Sequence, residues 1–210
     1  MLTSLAGVAF SWDDSRRAFT DAAAWFVRTA ALVGDRWDRP GLGEWDVRAL
    51  VGHTSRSLLT VETYLDHPAP AAELAGAPDY FRAISAIAAD PAVAARGRDA
   101  GAALGADPAA AVAGIAERVL ALVDAKNGRE LLTTIAGGMR LADYLPTRTF
   151  ELAVHTADLA VALGVPPRVP ATAAAQALRI VADLAIAGDL AGPLLLAATG
   201  RPRPSDLSVL

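Results

Sequence analysis

The sequence predicts an all-α protein, an up-down helical bundle with short accessory helices. Alanine and leucine are abundant while runs of β-branched residues are scarce, a composition that favours helix. Apolar residues recur at helical spacing in several long segments, and no segment alternates convincingly as a strand. Capping residues, glycines and prolines fall where those segments should begin and end.

From 12 to 33, Phe19, Ala23, Phe26, Ala30 and Val33 form one apolar stripe, and Gly34 with Pro40-Gly41 ends the helix in a loop. The second helix starts at Asp46, whose carboxylate can accept the free N–H groups of a first turn. Trp45 at N′ and Leu50 at N4 make a hydrophobic-staple pattern. Its inward stripe runs Leu50, His53 or Thr54, Leu58, Val61 and Leu65, up to His67-Pro68. The segment 69–106 is alanine-rich, with a helix expected over 79–89. Asp90-Pro91 and Asp107-Pro108 each supply a cap followed by proline at N1. From Pro108, Val112, Ile115, Val119, Leu122 and Val123 share a face until Asn127-Gly128. Residues 129–140 read as a connector with Gly137-Gly138 as its flexible point. A further helix is expected over 141–163, with Pro146 marking its first turn or kinking it and Gly164 and Pro166-Pro167 ending it. A fifth helix over 171–187, a short one near 190–199 and an extended proline-rich tail complete the chain.

The 210 residues suit a single domain, 1–210, and at 53% hydrophobic the chain should fold. A net charge of −4, a pI of about 5.3 and the lack of any basic run argue against nucleic acid as a partner. The absence of cysteine excludes disulfides, thiolate ligands and a protein thiol nucleophile, and fits a cytoplasmic protein. The N-terminal segment lacks the basic region of a signal peptide. Arg179, Asp183 and Asp189 interrupt the most apolar late stretch, so no membrane span is expected. Lys126 is the only lysine, and arginine preference with heavy alanine use fits a GC-rich genome.

Three residues stand out as metal ligands. Glu151 and His155 are four apart and so project from one helix face. His53, in the second turn of its own helix, offers a second imidazole. Two histidines and a carboxylate suit zinc, nickel or ferrous iron, and three protein ligands leave a position open as in a catalytic site. At 100° per residue Arg148 and Asp158 fall in the same quadrant as Glu151 and His155. Asp158 suits orientation of a ligating imidazole, and Arg148 suits an anionic substrate group. The same Glu–His spacing also arises in a plain surface contact, and a lone histidine at a helix edge in packing. His67 reads as a surface loop residue, Arg201 as part of a solvated tail, and Trp12, Trp25, Trp37 and Trp45 as core or rim packing. No HExxH, GxSxG, Walker loop or dinucleotide fingerprint is present.

Two segments carry a resemblance. Trp45, Asp46, Val47, Leu50 and His53 match one motif, and Arg148, Glu151, His155, Asp158 and Leu159 match an Arg-x-x-Glu-x-x-x-His-x-x-Asp-Leu motif. With the Gly-Gly-Met-x-Leu-x-Asp-Tyr-Leu stretch at 137–145 and Thr199-Gly200-Arg201, roughly 12–203 resembles the metal-binding domain of the mycothiol-dependent maleylpyruvate isomerase family. That family belongs to the DinB-like superfamily of four-helix-bundle metalloproteins. The resemblance implies a divalent metal, commonly zinc, held by His53, Glu151 and His155, which activates mycothiol or a similar low-molecular-weight thiol toward a small electrophile. The isomerase carries a further C-terminal domain for which a chain ending at Leu210 has no room, so a stand-alone bundle is expected.

Three functions follow as expectations. The first is a thiol-dependent isomerase or S-transferase. The second is a hydrolase in which the metal activates water, distinguished by turnover without thiol. The third is a non-catalytic bundle that binds a ligand or partner, for which the alanine-rich surface of 81–123 offers a homodimer face.

Overall fold

In the computed structural model, residues 10–88, 92–202 and 207–210 are described. The expected cap and proline at Asp90-Pro91 and the N-terminal segment before residue 10 lie outside them. The element order is α1 (Trp12–Ala31), β1 (Pro40–Leu42), β2 (Trp45–Asp46), α2 (Val47–Leu65), α3 (Ala77–Ala88), α4 (Ala92–Ala103), α5 (Pro108–Asp124), β3 (Leu131–Thr134), β4 (Gly137–Arg140), α6 (Leu141–Ala162), α7 (Ala171–Ala187) and α8 (Ala191–Ala198). The fold is an all-α, DinB-like bundle. Among the described residues no helix is long and apolar enough to cross a membrane.

Local chemistry sets the helix ends. Ser11 caps α1 by accepting from the Asp14 N–H at 3.1 Å, and Asp13 and Asp14 sit in the first turn, where the helix dipole favours negative charge. Asp46 caps α2 through the Ala49 N–H at 2.7 Å, and Asp107 caps α5 through the Ala110 N–H at 3.0 Å, with Pro108 at N1. No side chain caps α6. Its first amides instead donate to the Glu130 and Gly128 carbonyls, at 2.8 and 3.0 Å. Pro146 sits inside α6 without interrupting it.

Helices α1, α5, α2 and α6 close the bundle, with α1 and α2 each packed on both α5 and α6. All five residues of the predicted α1 stripe are fully buried. On α2, Leu50, Thr54, Leu58 and Val61 enter the core, so His53 lies beside the stripe. Helix α7 packs on α1 and α6, α3 on α6 and α7, and α4 on α2. Small residues allow α4 to approach α2 and β2: a Cβ on Gly52 would meet the Gly101 nitrogen at 2.1 Å, and one on Gly97 the Trp45 ring at 2.6 Å. Part of the alanine-rich stretch 81–123, expected to offer a dimer face, is thus used within the chain.

Two expectations need correction. The chain contains strands, in two antiparallel hairpins, β1–β2 and β3–β4. The segment expected to be a flexible connector at Gly137-Gly138 is the second of these, in register Leu131 with Arg140 and Thr134 with Gly137. It is pinned from outside: Gly138 N–H donates to Glu73 Oε2 at 2.9 Å, and the Gly138 carbonyl accepts from the Glu73 and Leu74 amides at 2.8 and 3.2 Å. A Cβ at Gly138 would lie 2.0 Å from the Ala71 carbonyl oxygen, so glycine serves close approach there. Four-residue strands without alternation leave no periodic signal to read.

Candidate functional site

The site lies between α2 and α6, neighbours in the bundle. Helix α2 turns one polar stripe into a cavity of about 330 Å³: His53, Arg56, Ser57, Thr60 and Tyr64, spaced at three, four, seven and eleven residues from His53. Helix α6 contributes Arg148, Glu151 and His155 to the same cavity. Trp45, Tyr80 of α3, and Val93 and Arg96 of α4 complete much of the wall.

His53, Glu151 and His155 each present one ligating atom, and these atoms lie within 4.8 Å of one another. The two imidazoles meet edge to face at 4.8 Å between ring centres. His155 is held from both sides, its Nε2 3.2 Å from Glu151 Oε2 and its Nδ1 3.2 Å from Asp158 Oδ2. Asp158 is not part of the cavity lining and stands behind His155. His53 packs against Trp45 at 4.4 Å between ring centres. Its Nδ1 is buried and has no hydrogen-bond partner among the described residues, a costly state for a polar atom that a bound ion would relieve.

The electrostatics separate the two imidazoles. Burial lowers the pKa of His53 to about 4, with the nearby positive charges of His155, Arg56 and Arg148 acting the same way against Glu151. Burial also disfavours protonation of His155, but Asp158 and Glu151 together outweigh it and raise the value to about 9. For Glu151, burial pushes upward and is overcome by His155, Arg148 and His53, which hold the carboxyl below its ordinary range.

Arg148 is buried and lines the cavity. Its Nε donates to Thr147 Oγ1 at 2.9 Å, and its guanidinium lies 5.2 Å from the Tyr80 ring centre and 5.0 Å from that of Tyr144. Tyr144 donates from its hydroxyl to Thr60 Oγ1 at 2.9 Å, tying α6 to α2. Burial raises the pKa of both Tyr80 and Tyr144, so both stay neutral.

His53, Glu151, His155 and Arg148 come together at one cavity, with Asp158 against His155. Trp45, expected as motif residue and as packing, anchors α4 by donating Nε1–H to the Ala94 carbonyl at 3.0 Å and walls the site. Not anticipated from the sequence are Arg56, Ser57, Thr60 and Tyr64, which the helical spacing from His53 could have found. Nor are Tyr80 and Arg96, for which no local signal exists. Of the tail, Val209 packs against the core and Leu210 lines the cavity. Arg201 is exposed, and His67 is an exposed residue whose Nδ1 lies 2.7 Å from the Thr63 carbonyl oxygen.

Neither a curated protein nor a solved structure matches the chain. Residues 13–160 do match the family described as the mycothiol maleylpyruvate isomerase N-terminal domain. That span covers well over half the chain and contains α2, α6 through Ala160 and all five candidate residues, so the protein belongs to the mycothiol maleylpyruvate isomerase N-terminal domain family.

Proposed function

We propose that the protein is a metal-dependent enzyme that uses mycothiol or a similar low-molecular-weight thiol to isomerise, or transfer sulfur to, a small electrophile. The observation that carries this reading is the convergence of His53, Glu151 and His155 to within 4.8 Å at the wall of a cavity, in a chain of this family. Two imidazoles and a carboxylate suit zinc best, with nickel and ferrous iron also compatible. Bound there, a divalent ion would favour the thiolate of an external thiol and so supply the nucleophile that a cysteine-free chain lacks.

The chain's own residues do the rest. Asp158 accepts from His155 Nδ1–H, which fixes the tautomer and leaves Nε2 as the ligating atom. Arg148, held flat by two tyrosine rings, presents positive charge to an anionic group of the substrate. Trp45, Tyr80 and Tyr64 line the cavity with aromatic surface that limits water. The proposed role is that of a cytoplasmic protein acting on small molecules.

Elemental analysis of the purified protein beside a His53→Ala, Glu151→Ala, His155→Ala variant tests the site. Near-stoichiometric metal in the native protein alone is expected, as is loss of thiol-dependent turnover in His155→Ala. Turnover without thiol would favour hydrolysis, and unchanged folding after chelation with no turnover would favour a binding role.

A further inference from the structure

Among the described residues, Trp25 is the one large apolar side chain that is buried without joining the core. It is 7% exposed, and the other buried apolar residues outside the core cluster are alanines. Trp25 instead lines a second cavity, of about 570 Å³, where the C-terminal ends of α1 and α6 meet the loop that follows α6. Arg28, Thr29 and Leu32 stand three, four and seven residues after Trp25 and complete one face of α1 there. From α6 comes Ala160, nine residues beyond Glu151, which at about 100° per residue is the opposite face of that helix. No residue lines both this cavity and the one that holds the candidate metal ligands.

The space is held open by its frame. Arg36 donates to the carbonyls of Val33, just after α1, and Leu163, just after α6, at 3.0 and 3.1 Å, which ties the two helix ends together. The Val165 N–H returns to the Ala160 carbonyl at 2.9 Å, and the Pro166 and Pro167 carbonyls accept from the Arg168 and Val169 amides at 2.9 and 3.0 Å. Two fixed proline φ angles stiffen the loop further. Fixed walls keep the void from collapsing, and their atoms lack contacts that a ligand would supply.

The walls also specify the ligand. Leu32, Ala160, Val165 and Pro166 are apolar, and no lining residue is acidic. Thr29 donates its hydroxyl to the Trp25 carbonyl at 2.9 Å. The other side-chain polar groups are the exposed guanidinium groups of Arg28 and Arg168 and the indole N–H of Trp25, none of which has a partner among the described residues. A buried indole N–H ordinarily finds one. All three groups are donors. An apolar chamber with only donors free and two positive charges at its rim fits a molecule with an apolar body and an anionic acceptor group. A single molecule fits better than a membrane, because anionic lipid surfaces attract basic segments and this chain carries a net charge of −4.

We infer that this cavity binds a small amphiphilic carboxylate, its apolar body against Trp25 and Leu32 and its carboxylate on Arg28 and Arg168. The site is independent of the proposed thiol chemistry.

Octanoate is a suitable probe, with octanol as its uncharged counterpart and acetate as the anion without an apolar body. Titrated calorimetrically into the full chain, octanoate should saturate one site and weaken with added salt, while octanol binds less tightly and acetate not at all. Octanoate should shift the tryptophan emission of wild type, and the shift should vanish in Trp25→Phe. Arg28→Gln, Arg168→Gln should lose roughly tenfold or more in affinity at an unchanged melting temperature, since both side chains are exposed. Ala31→Phe fills the cavity from an exposed position and should abolish binding. The His53→Ala, Glu151→Ala, His155→Ala variant should bind octanoate as wild type does, which separates this site from the candidate metal centre. The inference is overturned if wild type fails to bind several-millimolar octanoate, if octanol binds as tightly, or if the glutamine or Ala31→Phe variant binds as wild type does. Octanoate binding that is lost with the metal ligands also overturns it. Arginine-dependent binding to anionic vesicles, or arginine-dependent self-association, without octanoate binding would assign this face to a membrane or a second copy instead.

Discussion

At the residue scale, His155 and His53 are tuned in opposite directions within one site. His155, raised to about 9, contributes stability to the ion-free protein that is fully present below its ordinary value of 6.5 and is lost as pH rises through about 9. His53, lowered to about 4, contributes stability present above 6.5 and lost as pH falls through about 4. Thermal melts in chelator across this range should therefore peak near pH 6.5 and fall on both sides. Zinc binds neutral imidazoles, so it should flatten the alkaline fall, and at neutral pH its uptake should release the His155 proton into a weakly buffered solution. Asp158→Asn removes the carboxylate that orients His155. Zinc affinity, measured by competition with a chromogenic chelator, should drop by about 10- to 100-fold while the fold persists. An unchanged affinity would mean that Asp158 serves only the ion-free state.

At the scale of elements, the contact between α2 and α4 decides the shape of the cavity, because α4 brings Val93 and Arg96 to it. Gly52→Ala would drive a methyl into the α4 backbone at Gly101, where nothing flexible can give. Urea unfolding should show a loss of about 1–3 kcal/mol or more. Zinc retention should survive, since all three ligands lie on α2 and α6. Gly114→Ala on α5, with nothing within 4 Å of the new methyl, should instead stabilise by about 0.4–1 kcal/mol. The hairpin β3–β4 carries the opposite lesson about reading glycine. Gly137, at φ 129°, and Gly138 look like a flexible point in the sequence, yet they are held in a hairpin by Glu73 and by close approach of the Ala71 backbone.

At the scale of the whole molecule, α6 is the hub. It packs on α1, α2, α3 and α7, and its buried face carries Leu145, Leu152 and Leu159 while an adjoining face carries the site. Leu152→Ala opens a cavity at the centre of this packing and should cost about 2–5 kcal/mol in urea unfolding. Val154→Ala on the same helix, at 38% exposure, should stay within about 0.5 kcal/mol. Equal effects would mean that α6 is not the packing centre. The core and the site thus share one rigid element, which lets a bundle hold ligands at defined separations.

The sequence by itself determined the helices, their caps at Asp46 and Asp107, the core stripe of α1, and the α6 face that carries Arg148, Glu151, His155 and Asp158. All of these are set by interactions within a few residues, which helical periodicity makes visible. It also contained the α2 stripe from His53 to Tyr64, though a polar stripe beside an apolar one is easily read as solvated surface. Only the tertiary structure decided that His53 faces Glu151 and His155, that Tyr80 and Arg96 close the same cavity, and that Arg148 is buried between tyrosines. Those facts depend on which helices pack together and how closely their backbones approach. Glycines at 52 and 101 set that distance between α2 and α4, through contacts between residues far apart in the chain.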